Sequence, residues 1–150
     1  MAHSYTNILI HYIFSTKDRR KIISSKLHER LWPYIGGVAR ENNMKALAIG
    51  GIEDHAHVLL SLPSSLSIAK AIQLVKGSSS KWIHDTFPQL RNFAWQEGYG
   101  AFSVSISHLR DTIAYIQTQR EHHRVKTFQE EYLLFLKKHG IQYDDRYVWG

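Results

Sequence analysis

The sequence predicts an α+β fold: one four-stranded antiparallel sheet with helices packed on it. Three observations carry this. Four short stretches alternate or run apolar as strands do, helical periodicities separate them in the order β-α-β-β-α-β, and the second and third strands are joined by a turn short enough for a hairpin. That order is the ferredoxin-like, split βαβ arrangement, extended here by two C-terminal helices. The 150 residues show no repeat, low-complexity tract or linker, so residues 1–150 read as a single domain with a real core.

Residues 5–16 read as a strand with Ile8, Ile10, Tyr12 and Phe14 on one face and Leu9, His11 and Ile13 on the other. Both faces are largely apolar, which predicts a central strand, and His11 reads as a hydrogen-bonded core histidine. A helix over 24–42 carries Leu27, Leu31, Ile35 and Val38 in register, with Pro33 and Gly36-Gly37 suggesting a kink or a close contact. Residues 44–51 and 55–62 form the predicted hairpin. Ser67 is an N-cap for a helix running to about Asp85. Residues 88–100 make an aromatic-rich loop, and 102–107 alternate as a half-buried strand. A helix is expected over 109–124 and a last one from Thr127, where Thr127 and Glu130 match a capping box and Gly140 is the stop.

Nineteen Lys and Arg against thirteen Asp and Glu give a net charge of +6, which favours a polyanionic partner such as nucleic acid. With no cysteine, disulfides, thiolate nucleophiles and cysteine-based metal sites are excluded, a composition that suits a reducing cytoplasm. The short apolar stretch from Ile8 to Phe14 is not a signal peptide, and no segment reaches membrane-spanning length. A cytoplasmic protein without membrane contact is expected.

The chemistry gathers in two places. His55-Ala56-His57 sits on the third strand, where residues two apart share a face and two imidazoles can converge on one ion. Ala56, Val58, Leu60 and Leu62 form the opposite, core-facing side, so the histidines are expected on an open polar face. Ten histidines make one His-x-His spacing by chance an even bet or better, so the pair gains weight only from its place. Tyr115 and Gln119 lie one helical turn apart, on a stripe with Thr112 and His122 that faces away from Leu109, Ile113 and Ile116. Alone, Tyr115 reads as a half-buried tyrosine whose hydroxyl finds water or a backbone partner. Together the two elements fit a phenol that attacks a phosphodiester, beside a divalent ion held by two imidazoles and the Gln119 amide oxygen. No Gly-rich nucleotide loop is present, and no nucleotide cofactor is expected.

On these residues the chain resembles a known family. The HAH triplet after IGGIED, then WQEGYGAFSVS, then YIQTQREHHRVKTFQEEY, are similar to the single-tyrosine HUH transposases of small bacterial insertion sequences, relatives of the REP-associated transposases. The resemblance covers nearly the whole chain. It implies His55, His57 and Gln119 as ligands of a divalent metal ion, Mg²⁺ or Mn²⁺, and Tyr115 as the catalytic nucleophile. It further implies a homodimer that recognises DNA hairpins and cleaves single-stranded DNA, with a nucleophile helix able to complete the partner's site. The REP-associated branch usually carries Asn-Pro after the tyrosine motif. Gln119-Arg120-Glu121-His122-His123 stands here instead, which favours the mobile-element branch.

Candidate DNA contacts are less specific. Lys76, Ser79, Ser80 and Lys81 form a polar patch on the second predicted helix that suits phosphates or is simply solvated, with the resemblance favouring DNA. Arg19 and Arg20 come just after the first strand, and Arg120 and Arg124 flank the proposed site. Trp95 and Tyr99 read either as base-stacking platforms or as loop anchors. Of His122 and His123, at most one can reach the metal. Two rivals stay open: a non-catalytic or domesticated single-stranded nucleic-acid-binding protein of the same fold, and a hydrolytic metalloenzyme that uses water.

Overall fold

The computed structural model describes residues 4–123 and 125–150. Four strands, β1 (Ile8–Ser15), β2 (Lys45–Ile52), β3 (His55–Leu62) and β4 (Gly100–Ser103), form one sheet in the order β2-β3-β1-β4, every neighbour antiparallel. This is the ferredoxin-like order, and β1 is central as its two apolar faces require.

One sheet face carries the larger core. Ile10, Tyr12 and Phe14 of β1 and Ala56, Val58, Leu60 and Leu62 of β3 pack there against α1 (Ser25–Glu41) and α2 (Ile68–Thr86). Leu31, Ile35 and Val75 are buried completely, each gaining on the order of 1.5–3 kcal/mol from leaving water. Ser24 and Ser67 cap the two helices by accepting from the backbone N–H of Leu27 and Lys70. The helix α1 runs unbroken through Pro33, and a side chain at Gly36 or Gly37 would meet only ordinary van der Waals neighbours, so the close contact expected there is absent.

The other face lies beneath α3 (Leu109–Gln117), α4 (Gln119–His122) and α5 (Phe128–Lys138). Ala48, Leu59 and Ile116 join one apolar cluster there, and Ile13, Phe102, Phe128, Tyr132 and Leu136 another. Gly50 sets how closely α3 can lie on β2. A Cβ at this position would stand 2.4 Å from the carbonyl oxygen of Ile116, so only glycine admits the helix. At α5 the capping box between Thr127 and Glu130 forms as the sequence predicts, and Gly140 ends that segment with φ +67.

Two expectations are corrected. The fourth strand is Gly100–Ser103 rather than 102–107, and Ile106–His108 form a single 3-10 turn. Among the described residues β4 is an edge strand paired with β1, and the Val104 N–H extends that pairing by donating to the Leu9 carbonyl. The helix over 109–124 is in fact two, divided at Thr118 (φ −111, ψ 31). The Thr118 N–H keeps its helical bond to the Ala114 carbonyl, and its hydroxyl donates to the same carbonyl, a back-bond of the kind that bends helices. Among the described residues no helix is long and apolar enough to cross a membrane.

Candidate active site

His55 and His57 leave β3 on the face away from the main core, as the alternation demands. That face is not open, however. Both side chains are fully buried, because α4 and α5 cover them with polar groups of their own. The His55 Nε2 lies 3.0 Å from Gln119 Oε1, and His57 Nε2 lies 3.0 Å from Glu131 Oε1. His123 at the end of α4 brings its Nε2 to 3.1 Å from Gln119 Oε1 and 3.2 Å from Glu131 Oε2. Ligand atoms of His55, His57, His123 and Glu131 all lie within 4.8 Å of one another.

The nucleophile candidate reaches the same centre. The Tyr115 hydroxyl donates to Glu131 Oε2, and its ring stands edge-on to His57 and stacks on His122. The break at Thr118 divides the work of the two helical residues. Tyr115 on α3 turns toward Glu131, while Gln119 on α4 is buried over His55 and donates its amide N–H back to the Tyr115 carbonyl.

Electrostatics are governed by burial. The His57 imidazole is pushed down to about 4 by desolvation, so it is neutral and free to ligate at ordinary pH. Burial pushes the Glu131 carboxyl up, but hydrogen bonds from His123 and His57 outweigh it and hold it well below the usual carboxylate range. Desolvation, with the Glu131 charge beside it, raises the Tyr115 phenol above its ordinary value. Imidazole nitrogens and carboxylate and amide oxygens converging on one point are the donor set a divalent cation takes. The residues fit a metal ion.

The candidate DNA contacts are spread over the molecule. Lys76, Ser79, Ser80 and Lys81 belong to α2, across the sheet from the histidines. Lys76 donates to the carbonyls of Gln96, Glu97 and Gly98, and burial lowers its ammonium to about 8. Ser79 is buried, accepting from the indole N–H of Trp95. These two hold the 88–100 loop, Ser79 fully buried and Lys76 half-buried, and Trp95 packs on Phe14 and Phe93. Ser80 is half-buried, and the exposed Lys81 pairs with Asp85. Arg120 is exposed near Glu53, Arg20 is exposed, and Arg19 lies over the Trp149 ring. Arg124 falls outside the described residues. Two clefts flank the centre. One of about 670 Å³ opens on Tyr115 and Glu131 beside β4, and one of about 560 Å³ opens on His123 and Asp54 between Arg19, Lys21 and Lys126.

A family model described as IS200-like transposase matches residues 4–119, from before β1 to Gln119 itself. The chain belongs to the IS200-like transposase family. Among curated relatives, the ISDra2 transposase TnpA of Deinococcus radiodurans is 23% identical over 116 residues, covering 74% of this chain and 83% of that one. The transposase for insertion sequence element IS200 of Salmonella typhimurium is 27% identical over 105 residues, covering 66% and 68%. Of solved structures, a putative transposase from Deinococcus radiodurans superposes with TM-score 0.66 at 25% identity, covering 79% of this chain and 96% of that one. A REP-associated tyrosine transposase bound to a REP hairpin gives TM-score 0.60 at 17% identity, covering 82% and 73%, a likeness of fold.

In this transposase the sequence reading missed Glu131, although a signal existed. Phe128, Tyr132 and Leu136 make the buried stripe of α5, and Glu131 sits inside it at a position where an apolar residue is expected. A carboxylate in such a stripe needs a partner. His123 is the member of the histidine pair that reaches the centre, while His122 stacks on Tyr115. His11 is the buried histidine expected, and its partner is His57 Nδ1 at 2.8 Å.

Proposed function

We propose that this transposase cleaves and rejoins single-stranded DNA at insertion-sequence ends through a 5′-phosphotyrosine on Tyr115, beside a divalent cation, Mg²⁺ or Mn²⁺, held by His55, His57 and Gln119. One observation carries the reading. A single carboxylate, Glu131, bonds both the Tyr115 hydroxyl and the His57 Nε2, so nucleophile and cation ligands face one small volume within one chain.

In this chemistry the Tyr115 oxygen attacks phosphorus and the bond from phosphorus to the 3′ oxygen breaks. The phenol loses one proton and the departing 3′-hydroxyl gains one. Attack by a 3′-hydroxyl on the phosphotyrosine reverses the step and joins strands without a nucleotide cofactor. The bound cation supplies Lewis-acid stabilisation of charge on the phosphoryl oxygens. Gln119 ties the two halves together, because its amide oxygen faces His55 while its N–H holds the Tyr115 backbone.

DNA hairpins are the proposed recognition element, supported by the net charge of +6 and by the likeness in fold to a transposase bound to a REP hairpin. A homodimer is part of the reading through the family resemblance. The meeting of Tyr115 with His57 and Glu131 in one chain supports a site completed within each subunit.

The test uses single-stranded oligonucleotides copied from both flanks of the gene, incubated with the protein and Mn²⁺ and resolved on a denaturing gel. A covalent protein–DNA adduct is expected, and none with Tyr115→Phe. Binding without any adduct overturns the enzyme in favour of a binding protein. Cleavage that survives Tyr115→Phe overturns the tyrosine in favour of water.

A further inference from the structure

The three histidines at the centre share one orientation. Each turns Nε2 inward and has Nδ1 engaged on the outside. His55 Nδ1 lies 2.7 Å from the Asp54 carboxylate, His57 Nδ1 lies 2.8 Å from His11 Nε2, and His123 Nδ1 lies 2.7 Å from the Lys126 carbonyl. An outer partner on the second ring nitrogen is what fixes the orientation of a metal-bound imidazole. From this we propose that His123 and Glu131 are ligands too, so that the cation sits in a cage of three imidazoles, the Glu131 carboxylate and the Gln119 amide oxygen. Such a donor set prefers Mn²⁺, Co²⁺ or Zn²⁺ to Mg²⁺.

The distances suit the cage. Ligand atoms bonded to one cation at about 2.1 Å stand roughly 3.0–4.2 Å from each other in tetrahedral to octahedral geometries. The separations here are 3.0 Å for His57 to Glu131, 3.2 Å for His123 to Glu131, 3.6 Å for His55 to Glu131 and 3.0 Å for His55 to Gln119. Burial points the same way. The Glu131 and His123 side chains are only 4% and 3% exposed, and a carboxylate so enclosed requires positive charge nearby. A cation among the three imidazoles supplies it.

Both added ligands lie beyond Gln119, where the family match ends. The cage therefore couples the family's common segment to the C-terminal part of this chain. Imidazole-rich sites favour the later first-row metals, whereas Mg²⁺ takes oxygen ligands and keeps its waters. This inference rests on the cation site proposed above and deepens it.

The experiment is titration of metal-free protein with Co²⁺, monitored by visible absorption and calorimetry, then challenge with excess Mg²⁺. The cage predicts that Glu131→Gln and His123→Ala each weaken Co²⁺ binding by at least about tenfold, since even outer-shell losses cost that much. It also predicts that Mg²⁺ fails to displace Co²⁺. Pulsed electron paramagnetic resonance of the Mn²⁺-loaded wild type supplies a measurement free of variants, with three coordinated imidazoles expected. Two imidazoles, or wild-type affinity in both variants while His55→Ala abolishes binding, would overturn the cage and leave the His55, His57 and Gln119 site standing. Displacement by Mg²⁺ would overturn the selectivity. No Co²⁺ binding by the wild type would overturn both.

Discussion

Glu131 accepts the hydroxyl of Tyr115 on one carboxylate oxygen and faces His57 Nε2 with the other. The residue that orients the candidate nucleophile thus comes from α5, while the nucleophile itself comes from α3.

Tyr115→Phe isolates the chemistry from the fold. The ring keeps its stacking on His122 and its edge contact with His57, and only the hydroxyl is lost. Covalent adduct formation should vanish, Co²⁺ affinity should stay within about twofold, and stability should fall by no more than about 3 kcal/mol, the upper end for a hydrogen bond to a charged group. Gel assay, calorimetry and urea denaturation check the three parts.

Gly50→Ala should damage the site from a distance. Its new methyl collides with the Ile116 carbonyl, so α3 must lift from β2 and carry Tyr115 with it. Overpacking of this kind costs about 1–3 kcal/mol, and a displacement near 1 Å can cost about a hundredfold in rate. Urea midpoints and adduct rates measured on the same preparation give both numbers.

Asp54→Asn removes no proposed ligand, yet it weakens the carboxylate that steadies His55 through Nδ1. Metal affinity should drop about 10–100-fold, as for other outer-shell changes, with the thermal midpoint of the metal-free protein little altered. Calorimetric titration with Mn²⁺ decides it.

Acid should destabilise the metal-free protein earlier than an average domain. Unfolded His57 takes its proton near the ordinary value of 6.5, whereas in the fold burial holds it down to about 4. Between those values the unfolded chain binds more protons, so stability falls as pH falls, by on the order of 3 kcal/mol at most. Glu131 continues the loss at lower pH, since its depressed carboxyl must finally be protonated. The raised His123 does not oppose this, because its contribution is fully present below its unfolded value. Urea midpoints from neutral pH down to about 4 should show the slope, and His57→Gln should flatten it.

Lys76→Met should act on stability and leave DNA binding alone. Its ammonium bridges three loop carbonyls on the far side of the sheet from the histidines. The thermal midpoint should fall, while the salt dependence of single-stranded DNA affinity stays as in the wild type. Arg19→Ala, at the cleft by His123, should reduce that slope by about 0.7 if it meets one phosphate. Fluorescence anisotropy across a salt series separates the two.

The elements were legible wherever local pattern decides. Strand alternation put His55 and His57 on the face away from Ala56, Val58 and Leu60, and Ser67 and the Thr127–Glu130 box marked helix starts to within a residue. What escaped depends on contacts distant in the chain. Glu131 meets His57 across 74 positions, and no spacing within α5 announces that. The Thr118 break escaped because threonine is tolerated in helices, and the bond of its hydroxyl to the Ala114 carbonyl leaves no mark in the apolar periodicity. The loop contacts of Lys76 were hidden for a related reason: a lysine beside serines has a solvated look until the loop that it bonds is placed.

The turn at Thr118 has a geometric consequence. Its non-helical backbone redirects the chain between α3 and α4, while the Gln119 amide N–H still donates back to the Tyr115 carbonyl. The spacing between the candidate ligand Gln119 and the candidate nucleophile Tyr115 is therefore set by one residue that touches neither His55 nor Glu131.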